Sequence, residues 1–137
     1  MRAISILAVL IVMSVVICDA GFAQKVVDWR ETVKRGDRIY EVNSKEPFTG
    51  KMVLYWPENG NKIMEAEYRY GKKHGKSIIW YENSQKKQEL EWRDGKQHGK
   101  GTMWYENGQK QQEVEFHDGT VISEKCWDEN GNPIPCE

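Results

Sequence analysis

Residues Trp80–Lys86 read WYENSQK and residues Trp104–Lys110 read WYENGQK, nearly the same phrase 24 residues apart. Aligned at that step, Gly71, Gly95 and Gly119 coincide, each inside a turn: RYGK, RDGK and HDGT. Gly75 falls on Gly99. Tyr68, Trp92 and Phe116 fall together, as do Ala66, Leu90 and Val114. An earlier copy, GKMVLYWPENGNK (Gly50–Lys62), fits with Pro57 as one extra residue. A last copy, KCWDENGNP (Lys125–Pro133), fits with one residue missing before Trp127. A fixed period of this length marks stacked supersecondary units.

Within each unit the apolar period is two. Glu89-Leu90-Glu91-Trp92, Glu113-Val114-Glu115-Phe116 and Glu65-Ala66-Glu67-Tyr68 alternate acid with apolar or aromatic side chains. That alternation predicts half-buried strands. Glu-Asn-Gly and Asp-Gly-Lys are turn chemistry, since Asn and Gly accept positive φ. Each unit therefore reads as a β-hairpin, marginal alone and stabilised by its neighbours. The predicted fold is all-β: an elongated antiparallel meander of stacked hairpins of about 24 residues. Equivalent residues lie two strands apart, so Trp80 and Trp104 are expected ~10 Å from each other. Ser84 stands where Gly60, Gly108 and Gly131 stand in the other units, a non-glycine at a turn position.

The N-terminus differs in kind. Arg2 is the only charge before Asp19, and Ala3–Cys18 is apolar but for two serines. A positive start, a short apolar core and small residues predict a secretory signal over residues 1–23, cut after Ala23, with Ala20 the second option. An uncleaved anchor and a lipid on Cys18 are the other readings; Ile17 counts against the lipid. Through either, and only through either, the chain would touch a membrane. Residues 24–46 then form a cap, with Val26, Val27, Trp29 and Val33 over the first hairpin, and residues 47–137 carry the repeats. The expected location is periplasmic, envelope-associated or secreted. In such an oxidising compartment Cys126 and Cys136, flanking an Asn-Gly turn, are expected to form a disulfide.

Twenty basic and 21 acidic residues leave a formal charge of −1, without the basic footprint of a nucleic-acid binder. Six Trp, six Tyr and three Phe give the chain apolar surface to fold with.

Trp92–Gly101, WRDGKQHGKG, resembles the MORN repeat, and YGKKHG (Tyr70–Gly75) carries the same turn. WYENGQK with its following acidic and aromatic strand is similar to the bacterial variant of that repeat. Asp37–Lys51, DRIYEVNSKEPFTGK, is similar to the start of bacterial YwqK-family antitoxin proteins. The resemblance implies a β-hairpin repeat, no enzymatic activity, no cofactor, and a role as a protein-interaction or membrane-associated module. The antitoxin likeness implies a neutralised protein partner, at odds with an export signal.

Candidate sites are few. His74, His98 and His117 read as turn residues, since the stacking keeps His74 and His98 ~10 Å apart, too far for one ion. Glu65, Glu67, Glu89, Glu91, Glu113 and Glu115 read as cross-strand partners of Lys62, Lys86, Lys87 and Lys110 on a solvated face. Trp80, Trp104, Leu90, Trp92, Val114 and Phe116 are expected to share the packed side. Trp56, Tyr81 and Tyr105, with Trp80 and Trp104, are the candidate partner-binding aromatics. Gly71, Gly75, Gly95, Gly99 and Gly119 are structural. No catalytic set and no metal ligands stand out. The functional expectation is an exported, non-enzymatic module presenting a sheet face to an unknown protein partner. An antitoxin or a glycan-binding or glycan-hydrolysing surface protein is the alternative.

Overall fold

A computed structural model describes residues 24–136. The predicted signal and Cys18 lie outside the described residues. The fold is nearly all β. Strand β1 (Val26–Asp28) leads through one 3-10 turn (Trp29–Glu31) into β2 (Thr32–Arg35) and β3 (Arg38–Glu41). The repeats follow as β4 (Gly50–Tyr55), β5 (Lys62–Arg69), β6 (Lys72–Trp80), β7 (Lys86–Arg93), β8 (Lys96–Trp104), β9 (Lys110–His117), β10 (Thr120–Trp127) and β11 (Pro133–Ile134). From β4 to β11 each strand pairs antiparallel with the next, in a nine-stranded sheet that β1 opens by lying parallel to β4. Strands β2 and β3 pair only with each other.

Two kinds of turn alternate along the sheet. At one end Tyr70, Asp94 and Asp118 (φ 49°, 48° and 48°) each precede a glycine of positive φ. Two successive left-handed residues give the hairpin turn whose twist matches the flanking strands. At the other end Ser84 N–H donates to Tyr81 O and Gly108 N–H to Tyr105 O, while Asn83 and Asn107 side chains accept from Gln85 N–H and Gln109 N–H. Ser84 makes the glycine's bond at φ 67°. A left-handed non-glycine residue costs about 1 kcal/mol, so Ser84→Gly should raise stability by about that amount in urea denaturation.

The register shows how the faces are used. Met52 opposes Ala66, Ser77 opposes Leu90, and Gly101 opposes Val114. These six form a buried row across the middle of one face. Tyr68, Trp92 and Phe116 flank it two residues along their strands. The cap finishes the core at the first hairpin, where Val27, Phe48, Met52, Ala66 and Tyr68 cluster with Ile39 and Met64.

The row is adjusted unit by unit. Trp92 Nε1–H donates to Ser77 Oγ at 2.7 Å. In the next unit the same two positions are Phe116 and Gly101: a ring without a donor beside a residue without an acceptor. A Cβ on Gly101 would stand 2.6 Å from Leu90, 2.8 Å from Val114 and 3.2 Å from Phe116. Because an orphaned buried polar group costs about 1–3 kcal/mol, Trp92→Phe and Ser77→Ala should each destabilise. The double variant should lose about 1 kcal/mol less than their sum, as a denaturation cycle would read.

The last hairpin ends the sheet. The residue missing before Trp127 in the final copy is lost at the bulge. In β5–β6 and β7–β8 the register slips by two around His74-Gly75 and His98-Gly99. In β9–β10 it slips by one, between Val121 and Ser123. Glu124 then takes the central-row position of Ser77 and Gly101, where Gln112 Nε2–H donates to it at 3.1 Å. Bulge, charge and the two-residue β11 with its proline blunt the edge against further pairing. Cys126 and Cys136 are joined, Cα–Cα 5.4 Å.

Candidate functional site

The repeated polar side chains meet from one unit to the next. Glu65 accepts from Lys51 (3.4 Å) and Lys62 (2.8 Å), and Glu89 from Lys76 (3.3 Å) and Lys86 (2.6 Å). Glu113 accepts from Lys110 at 2.6 Å. The same lysines lie over the aromatic rings of the next unit: Lys62 over Trp80, Lys86 over Trp104 and Lys110 over Trp127, 5.5–5.9 Å from the centroids. Each contact is modest; together they tie one hairpin to the next.

This places Trp80 and Trp104 on the glutamate face, against the expectation that they pack beside Leu90 and Trp92. Ile78 opposes Glu89 and Thr102 opposes Glu113. Two residues further on, Trp80 and Trp104 point the same way as those partners. The bulges between Ile79/Trp80 and Met103/Trp104 leave one extra residue on the facing strand, Lys87 and Gln111. Both tryptophans are half-buried.

Tyr81 and Tyr105 are half-buried as well, with their hydroxyls engaged: Tyr81 O–H donates to Trp104 O (2.8 Å) and Tyr105 O–H to Trp127 O (2.9 Å). Asn83 and Asn107 amides reach Glu106 O and Glu129 O in parallel. Trp56 occupies the matching position in the first unit, but its buried Nε1 has no hydrogen-bond partner among the described residues. In the last unit Asp128 takes that position and turns back, accepting from Asn130 N–H and Asn132 N–H.

The histidines do a job that residue type did not disclose. Asp94 N–H donates to His74 Nδ1 (3.3 Å) and Asp118 N–H to His98 Nδ1 (3.4 Å). In the first unit Thr49 Oγ1 accepts from Tyr70 N–H at 2.9 Å. A side-chain acceptor just before the second glycine thus holds the next unit's turn, and sequence spacing alone could have paired Thr49, His74 and His98. The glycine after each of these turns is held too: Gly71, Gly95 and Gly119 N–H donate to Phe48, Lys73 and Gln97 O. His117 lies beside His98, ring centroids 5.2 Å apart. Among the described residues no group of three or more metal-ligating side chains converges.

Residues 91–110 match the MORN repeat, and residues 73–94 match the MORN repeat variant. Over residues 73–110 the chain is similar to MORN-type repeats. These two matches span β6, β7 and β8, the strands on which His74, His98, Trp80 and Trp104 sit. No curated protein and no solved structure matches the chain. The likeness of Asp37–Lys51 to antitoxin proteins has no counterpart in these matches. MORN repeats are commonly protein- or membrane-interaction modules and are typically non-catalytic.

The ladder has a pH signature. Burial pushes the Glu65 carboxyl up, but the Lys62 and Lys51 ammoniums together bring it below the usual glutamate range. Glu89 is lowered by its Lys86 hydrogen bond against the opposing effect of burial, and Glu113 by Lys110. A carboxyl whose pKa is lower folded than unfolded stabilises above its unfolded pKa, and that gain is lost as pH falls through the folded one. Stability in urea should therefore fall as pH drops below about 4.5. Glu65→Gln with Glu89→Gln should flatten the fall. Glu113, the most solvated of the three, should matter least.

Proposed function

We propose that the chain is an exported, non-enzymatic repeat module that offers a face of its sheet to a protein partner at the bacterial envelope. The observation that carries this reading is the division of labour between the faces. On the glutamate face lysines neutralise acids and cover tryptophans, unit after unit. On the other face the cap hairpin packs only at the first units, with Thr32 Oγ1 against Met52 Sδ and Ile39 against the core cluster. Beyond it Ile79, Trp92, Met103 and Phe116 remain half-exposed around the central row. A rigid sheet with half-exposed aromatics suits recognition by shape and apolar contact.

The candidate aromatics Trp56, Trp80, Tyr81, Trp104 and Tyr105 would then act mainly by spacing and stiffening the sheet, with Trp92 and Phe116 nearer the contact. The export signal and the Cys126–Cys136 staple suit an oxidising compartment. Affinity capture of the mature chain from the envelope fraction of its host tests the reading. A stoichiometric partner lost on Trp92→Ala or Phe116→Ala, in variants that still fold, supports it. A chain that fractionates with the cytosol and keeps its N-terminus removes the export half. A captured toxin would favour the antitoxin alternative.

A further inference from the structure

Where the cap hairpin stops covering the sheet, a cleft of about 430 Å³ opens between the β2–β3 turn and the first two Asp–Gly-type turns. Its floor is Tyr68, Trp92 and Ile39, and five charged groups besides Lys73 line its rim. Two of these are acids, already engaged. Asp37 is paired with Lys72 at 3.0 Å, and Asp94 with Arg69 at 3.9 Å. The ammoniums of Lys34, Lys73 and Lys96 form no ion pair among the described residues, in a chain whose net charge is −1.

Lys73 is the informative one. Its repeat equivalents are fixed by the turn glycines, which donate to the carbonyls of Phe48, Lys73 and Gln97. Phe48 is 1% exposed and fills the core; Gln97 is neutral. A charge occurs at this position only in the unit that faces the cleft. Lys73 Nζ lies 4.4 Å from the Trp92 ring centroid, closer than any other lysine lies to a ring here. Burial alone holds its pKa below the usual lysine range, with no carboxylate offsetting it. A half-buried cation without a counter-ion is unfavourable unless something supplies one.

We propose that this cleft is the docking point for an acidic segment of the protein partner, a carboxylate meeting Lys73, Lys34 and Lys96 while a neighbouring apolar side chain lies on Trp92. The inference rests on the protein-interaction reading above and names the partner chemistry. A wide, open cleft suits a side chain carried on a chain better than an enclosed small molecule. The unmatched charges would steer the encounter and fix register, and Trp92 would serve as the anchor.

The probe is a fluorescein-labelled, end-blocked peptide alternating glutamate with leucine. Its binding to the mature chain is read by anisotropy at low and at physiological salt. Saturable binding that weakens with salt is expected. Lys73→Met, which keeps the stem over Trp92 and removes the charge, should weaken it about tenfold. Lys73→Arg should retain it, and Lys87→Met should leave it unchanged, since Lys87 also covers a ring, that of Tyr81, but elsewhere. Far-ultraviolet circular dichroism spectra should be the same across these variants, and none should melt below the wild type.

No saturable peptide binding overturns the proposal, as does equal loss with Lys87→Met or none with Lys73→Met. Binding instead to vesicles containing phosphatidylglycerol, abolished by Lys73→Met, would also overturn it by making the occupant a lipid headgroup. If a captured envelope partner is held equally by the wild type and Lys73→Met, this docking point falls while the interaction reading stands.

Discussion

Gly71→Ala should cost about 3 kcal/mol, whereas the same change at its repeat equivalent Gly119 should cost only about 1–2 kcal/mol. Both glycines sit at positive φ, 79° and 88°, so both alanine variants carry the left-handed backbone penalty. Their surroundings differ. A Cβ on Gly119 meets nothing within 4 Å, while one on Gly71 would stand 2.8 Å from both Arg38 Cβ and Ile39 O. The carbonyl belongs to backbone, which cannot swing aside as the tip of a side chain can. Ile39 O also accepts from Phe48 N–H, and Ile39 N–H donates to Gly71 O at 2.9 Å. The added methyl would therefore lever β3 off the sheet and loosen Ile39, Phe48 and Tyr68 with it. Equilibrium urea denaturation of the two variants, with amide exchange of Ile39 and Gly71, measures this. Equal losses would mean that the cap hairpin yields at no cost and that its seat on the sheet contributes nothing to stability.

That pair of glycines also shows what the sequence discloses and what it hides. The 24-residue step places Gly71 and Gly119 in the same kind of turn, and both are in it. The alternation of Glu89-Leu90-Glu91-Trp92 assigns faces correctly along one strand, because period two is local backbone geometry. The inference fails where the chain crosses to the next strand. Trp80 faces Glu89's side because register depends on which strand holds a bulge, and Lys87 is an extra residue that no periodicity marks. The missing residue of the last copy was legible as lying before Trp127, but not that the sheet takes it up between Val121 and Ser123. The spacing reads His74 and His98 as turn residues, whereas the sheet holds them inside β6 and β8; only their place just before Gly75 and Gly99 was legible. Their bonds to Asp94 and Asp118 were not, since they join units through backbone N–H groups that carry no sequence identity. The cap was the least legible part. Val27 is buried but Val26 is 57% exposed, because a three-residue strand on a sheet edge can bury only one of its faces, and Trp29, in the 3-10 turn that follows, is 48% exposed. Lys73 has the opposite character. As one lysine in a polar chain it carried no signal, and it becomes informative only when Phe48 and Gln97 are found in its place in the neighbouring units.

Opening the Cys126–Cys136 bond should cost about 2–3 kcal/mol, and the loss should be confined to one end of the sheet. The bond closes a ring of sequence separation 10, within which β11 has only two pairs, Cys126 with Ile134 and Trp127 with Pro133. Two pairs do not hold a strand, so without the covalent link β11 should leave the sheet. Trp127 would lose one neighbour, and the sheet would end on the exposed strand β10, where Val121 and Ile122 are 48% and 59% exposed. In a stack where each hairpin touches only its neighbours, damage at an end travels inward by loss of one interface at a time. Cys126→Ser with Cys136→Ser should therefore lower the urea midpoint and speed amide exchange at Trp127 and Ile134 first, then in β10. Leu90 and the paired residues of β6 and β7 should keep their protection. A wild-type chain titrated with reductant should reproduce the double variant. Uniform loss of protection along the whole sheet would show instead that the hairpins unfold as one body, and an unchanged midpoint would show that β11 stays in place without its staple. If the first pattern is found, the oxidised and the reduced chain differ in how much of the edge strand β10 they leave open, and the disulfide, by holding β11 in place, joins the bulge and the charge in keeping this repeat sheet from acquiring another strand.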